Sequence, residues 1–152
     1  YRYFNSLDGL IAAYIQQNDY WINFDEELPD QAHLAAFIKQ IFKRQIMWLR
    51  ENYTLKRLYR WELTTDNKFV KELRNKREEK GIWLVEAVSK LSKHPKKEIA
   101  AMASIITAAI SYLALLEENC PVYNLKIQQE SGWEELEEGI NLLVDLWLQK
   151  QL

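Results

Sequence analysis

Apolar residues recur along this chain at the three-and-four spacing of helices rather than the alternation of strands. Leu10, Ile11, Tyr14, Ile15 and Trp21 form the first set. They predict a helix from a Ser6 cap, with Asp8 in its first turn, to about Phe24, before the acidic loop Asp25–Pro29. A second helix, capped by Asp30, carries Leu34, Phe37, Ile38, Ile41, Phe42, Met47, Trp48 and Leu49 and breaks near Asn52–Thr54. A short third spans Leu55–Leu63. Thr65 or Asp66 is the expected cap of a long fourth, running to about Lys93 with Phe69, Val70, Leu73, Trp83, Leu84, Val88 and Leu91 as its apolar positions. Between Leu73 and Ile82 that helix is almost wholly charged, which predicts projection into water. Gly81 there costs about 1 kcal/mol against Ala and marks a kink or a close approach.

His94-Pro95 ends the fourth helix, and Pro95 suits the opening of the next. Lys96–Asn119 is apolar nearly all round, Cys120–Ser131 reads as a loop, and Gly132–Gln151 forms the last helix. In that helix Trp133, Leu136, Ile140, Leu143, Val144, Trp147 and Leu148 share a face that Leu142 and Leu146 widen. The reading is all-α: about six helices, no sheet, no internal repeat and one domain. At 152 residues, 48% apolar and with 4 Gly and 3 Pro, the chain can bury a core without disulfides or metals.

Charge changes this picture little. Residues 36–80 carry 13 Lys/Arg against 6 Asp/Glu, while both flanks are acidic and the whole chain is −2. A basic middle is compatible with nucleic acid, but mixed charges on helices ordinarily form a solvated face. Ile99–Leu116 is 18 residues without a charge, at the threshold for a membrane span. Its hydroxyls and alanines, among amphipathic neighbours, favour a helix buried on both sides, so no membrane partner is expected. A single cysteine, Cys120, suits a reducing cytoplasm. The start, Tyr1-Arg2-Tyr3-Phe4, has neither a signal-peptide pattern nor an initiator Met, and predicts a chain that begins inside a longer gene product.

Catalytic constellations are missing from the pattern. His33 with Asp30, and His94 at a helix end, lack the spacing of metal ligands. The pairs Glu117-Glu118, Glu134-Glu135 and Glu137-Glu138 are sequence neighbours, which do not converge on a helix. No phosphate loop or nucleophile elbow occurs. No enzyme activity, metal or cofactor is expected.

The opening Tyr1-Arg2-Tyr3-Phe4-Asn5-Ser6-Leu7-Asp8-Gly9-Leu10 resembles the end of the DNA-binding region of TetR-like (tetracycline-repressor-like) transcription regulators. The shared features are the aromatic pair, the Phe, the Ser cap, the acid and the Leu; Leu7 stands where the family usually has a phosphate-contacting Lys. The resemblance implies that residues 1–5 are the tail of a helix-turn-helix head, with Tyr1 and Tyr3 as remnant DNA contacts. Residues 6–152 would be the effector-binding and dimerisation body.

It further implies a homodimer whose last two helices pair into a four-helix bundle, with Ala100, Ser104, Ala108, Ile140, Leu143, Val144 and Trp147 as interface candidates. An apolar or aromatic small-molecule effector would sit among the middle helices. The candidates there are Trp48, Tyr59, Trp61, Phe69, Trp83 and Tyr112, with Thr107 and Ser111 as hydroxyls that either face the cavity or bond back to the preceding turn. The alternative is a helical homodimeric protein–protein interaction module without DNA binding.

Overall fold

The computed structural model describes residues 6–116 and 122–149. Six α-helices are found there: α1 Leu7–Asn18, α2 Leu34–Glu51, α3 Tyr53–Leu63, α4 Lys68–Ser92, α5 Lys96–Leu116 and α6 Glu130–Gln149. A single 3₁₀ turn, Gln31–His33, precedes α2, and among the described residues no strand forms beyond an isolated Val122–Leu125 bridge.

Local chemistry explains most of the boundaries. The Ser6 hydroxyl accepts from Gly9 N at 3.0 Å and starts α1 as expected. The helix stops at Asn18, not Phe24. There the Asp19 carboxylate accepts from Ile22 N at 2.8 Å, while the Asn23 amide donates to the Gln16 and Asp19 carbonyls. These side chains satisfy the end of α1 and turn the chain, so Trp21 and Phe24 lie beyond the helix. The cap of α4 is Asn67, whose side chain accepts from Phe69 N and Val70 N, both at 3.0 Å. Thr65 instead donates to the Trp61 carbonyl. Lys93 ends α4 in the left-handed conformation (φ 63°).

Two apolar clusters organise the packing. The larger joins α2, α4, α5 and α6 around Ile38, Phe42, Ile46, Val88, Ile106, Ile110, Trp133 and Val144. The smaller lies beneath α1, where Ala12 and Ile15 meet Leu55 of α3 and Leu73 of α4. Trp48 and Tyr59 touch both clusters and join them. Gly132 is obligatory for the entry to α6: a Cβ there would collide with the Lys126 backbone, which lies against it as Trp133 Nε1 donates to the Ile127 carbonyl at 2.8 Å. Gly81 meets no such constraint, since nothing lies within 4 Å of its would-be Cβ; the expected close approach is absent.

Helix α5 departs from expectation. By length and composition it is apolar enough to cross a membrane, and only 28% of its most apolar window is buried. Ile99, Ile106, Ile110, Ala114 and Leu115 enter the core, but Ile105 and Tyr112 stand exposed at 66% and 63%. It is therefore a one-sided core helix with an uncovered apolar back, not a helix buried on both sides. On α6, Leu142, Leu143 and Leu146 are likewise exposed.

Candidate functional site

The charged stretch of α4 does not simply project into water. Val70, Leu73 and Arg77 follow one another at three and four residues, which places Arg77 on the face that packs inward. Its Nε donates to Asp19 Oδ2 at 2.8 Å and its Nη1 to Glu62 Oε1 at 2.5 Å. Asp19 and Glu62 are buried, and Tyr59 Oη donates to the same Asp19 oxygen at 2.6 Å. The Arg77 guanidinium also lies 5.2 Å from the Tyr59 ring centre. One arginine thus ties the end of α1 to α3 and α4.

Burial, then the charge of Asp19 and its hydrogen bond, push the Tyr59 hydroxyl well above its ordinary value. Burial alone would lower Arg77, but Asp19 and Glu62 outweigh it and hold the guanidinium firmly charged. Around this knot, neighbouring cations reach backbone carbonyls. Arg60 donates to Leu115 O, Arg74 to Glu62 O and Lys80 to Phe24 O.

A groove of about 750 Å³ runs between α4 and α5, floored by α2 and α6. Its walls include Trp21, Ile38, Phe42, Leu84, Val85, Met102, Ala103, Val144 and Trp147, with Arg74, Arg77, Lys96, Lys97, Glu78 and Glu86 as its charged residues. A smaller chamber of about 210 Å³ adjoins it, lined by Asp19, Gln45, Trp48, Tyr59, Glu62 and Ser111 among others. Trp21, Arg77 and Thr107 wall both spaces.

The expected effector residues divide. Thr107 lines both spaces, and Trp48, Tyr59 and Ser111 line the chamber. Trp61 and Phe69 belong to the small core beneath α1. Trp83 and Tyr112 are exposed at 44% and 63% and line neither space, because Leu84 and Val88 take the inner face of α4 and Ile106 and Ile110 that of α5.

The interface candidates divide too. Ala100, Ser104, Val144 and Trp147 wall the groove. Val144 is fully buried in the chain's own core, and Ile140 packs half-buried against it. Ala108 and Leu143 remain exposed. It is Ser104, rather than Thr107 or Ser111, whose hydroxyl bonds back along the helix, to Ala100 O at 2.7 Å. Tyr1, Tyr3 and Cys120 lie outside the described residues.

The histidines take no part in the site. His33 binds Asp30 at 2.6 Å on the surface, and that hydrogen bond holds the Asp30 carboxyl below its usual range. His94 is buried, its ring 4.8 Å from that of Trp147, rather than merely ending a helix. Among the described residues no three His, Cys, Asp or Glu side chains gather as a metal site. Sequence reading missed Trp21, Gln45, Glu62 and Arg77 as site residues. For Gln45, Glu62 and Arg77 the available signal was a charged or amide residue at the core-facing step of α2, α3 and α4; Trp21, in the turn after α1, offered none.

No protein-family model, curated protein or solved structure matches the chain.

Proposed function

We propose that this chain is the ligand-responsive body of a TetR-like homodimeric transcription regulator, with a DNA-reading head preceding α1. One observation carries the reading: Arg77 lines the groove and also binds Asp19, the residue that terminates α1. Occupation of the groove therefore bears on the helix that would carry the head. Movement of α1 in a dimer changes the spacing of two heads and hence their fit to two operator half-sites. The effector must favour one of the two positions of α1, since equal affinity shifts nothing.

The uncovered apolar backs of α5 and α6 support the dimer. Ile105, Tyr112, Leu142, Leu143 and Leu146 are exposed, and α5 carries no charge from Ile99 to Leu116. A second copy of the same charge-free face is a matching partner in a two-fold interface. This surface equally serves a homodimeric interaction module, but such a module has no need of a groove coupled to α1.

The test is binding of the gene product, expressed with any upstream codons, to DNA from its own promoter region. Salt-resistant specific binding supports the regulator. A dimer without specific DNA binding leaves the interaction module.

A further inference from the structure

We propose that groove and chamber form one bipartite site for a neutral amphiphile. Its apolar tail lies between α4 and α5. Its compact uncharged head, of the amide class with both an acceptor and a donor, enters the chamber. This rests on the effector reading above and names the ligand class.

Shape comes first. The α4 wall of the groove extends from Arg74 to Val88, roughly 20 Å at the helical rise per residue. That length, with a mostly apolar lining, suits an extended chain rather than a compact ring. The groove meets the chamber at Trp21, Arg77 and Thr107, so a molecule lying in one reaches the other.

Polarity fixes the head. Trp21 Nε1, Arg77 Nη2 and Gln45 Oε1 are buried without a hydrogen-bond partner among the described residues. All three side chains belong to the chamber wall, and Gln45 is 3% exposed. Unpartnered buried polar atoms are costly, and native proteins keep few of them. The first two ask for an acceptor and the third for a donor, and an amide supplies both.

Charge excludes the ionic alternatives. Two buried carboxylates, Asp19 and Glu62, face one guanidinium in the chamber wall. A carboxylate head would sit beside Asp19 and Glu62, which already engage Arg77 Nε and Nη1, while Arg60 and Arg74 are turned to backbone carbonyls. An ammonium head would satisfy neither the Arg77 nor the Trp21 donor. A neutral head avoids both costs.

The experiment is calorimetric titration of the full chain with octanamide, octanoate and octylammonium at pH 7. Octanamide is expected to bind about tenfold or more tightly than either ion. Trp21→Phe and Gln45→Leu each remove an unsatisfied atom. They are expected to leave the unfolding midpoint of the empty protein unlowered while weakening octanamide about tenfold. Ala103→Phe, which fills the groove, is expected to abolish binding in a folded protein.

Equal or tighter binding of either ion overturns the inference, as does unchanged octanamide affinity in both chamber variants or no binding of octanamide. The two readings fail separately. Octanamide binding without specific DNA binding removes the regulator and leaves the site. DNA binding relieved only by a charged amphiphile does the reverse.

Discussion

Arg77 Nε donates to Asp19 Oδ2 across 2.8 Å, joining the middle of α4 to the residue that stops α1. Asp19 is 1% exposed and Arg77 23% at the side chain, so water does little to screen the pair. Arg77→Met strands Asp19 and Glu62 as buried carboxylates and should cost about 3–5 kcal/mol in urea unfolding. Asp19→Asn preserves shape and leaves Arg77 its Glu62 partner, so its cost should be smaller. The double variant should show a coupling of about 1–3 kcal/mol between the two positions.

The glycines make opposite predictions. Gly132→Ala drives a methyl into the Lys126 backbone and should destabilise the entry to α6 by about 2 kcal/mol or more. Gly139→Ala meets nothing within 4 Å in the interior of α6 and should stabilise by about 0.5–1 kcal/mol. Thermal unfolding of the two variants beside the parent chain settles both.

Alkaline stability follows from two tyrosines. Burial pushes Tyr20, whose hydroxyl donates to the Ile41 carbonyl, up from 10.0 to about 12, and Tyr59 is also raised. In the unfolded chain both ionise near pH 10, releasing protons that the folded state retains. Their contribution is fully present below pH 10 and is lost as pH rises through 10 toward 12. The unfolding midpoint should fall over that window. Tyr20→Phe should reduce the fall, leaving the pH 7–9 plateau shape unchanged.

The exposed leucines of α6 should hold the dimer. Sedimentation is expected to give a dimer for the parent chain and a folded monomer for Leu142→Glu combined with Leu146→Glu. Both side chains are more than half exposed, so the substitutions disturb little of the chain's own core. A parent chain that sediments as a monomer refutes the pairing.

Periodicity sufficed for the number and order of the helices, because long amphipathic runs punctuated by Asp30, Asn52 and Pro95 leave little freedom. It failed where a side chain replaced a backbone hydrogen bond. Asp19 and Asn23 cut α1 short through bonds that no apolar pattern encodes. The site was harder to read for a related reason. Arg77 and Glu62 occupy core-facing steps of their helices, yet each in isolation looks like solvated charge; only their meeting with Asp19, 58 residues before Arg77, gives them partners. Aromatic residues misled in the other direction. Trp83 and Tyr112 sit one step round from the inner faces, and a strongly apolar helix such as α5 does not announce which of its sides is buried.

The proposed function requires that the state of the groove set the position of α1. Its most direct test is the distance between the two α1 helices of the dimer, measured by pulsed electron spin resonance. Spin labels go on Leu7→Cys, an exposed position, with Cys120 replaced by Ser. Empty protein is compared with the octanamide complex and with the Ala103→Phe variant. A displaced distance distribution is expected when the groove is filled by either route. Superimposable distributions in a dimer with a filled groove would contradict that requirement.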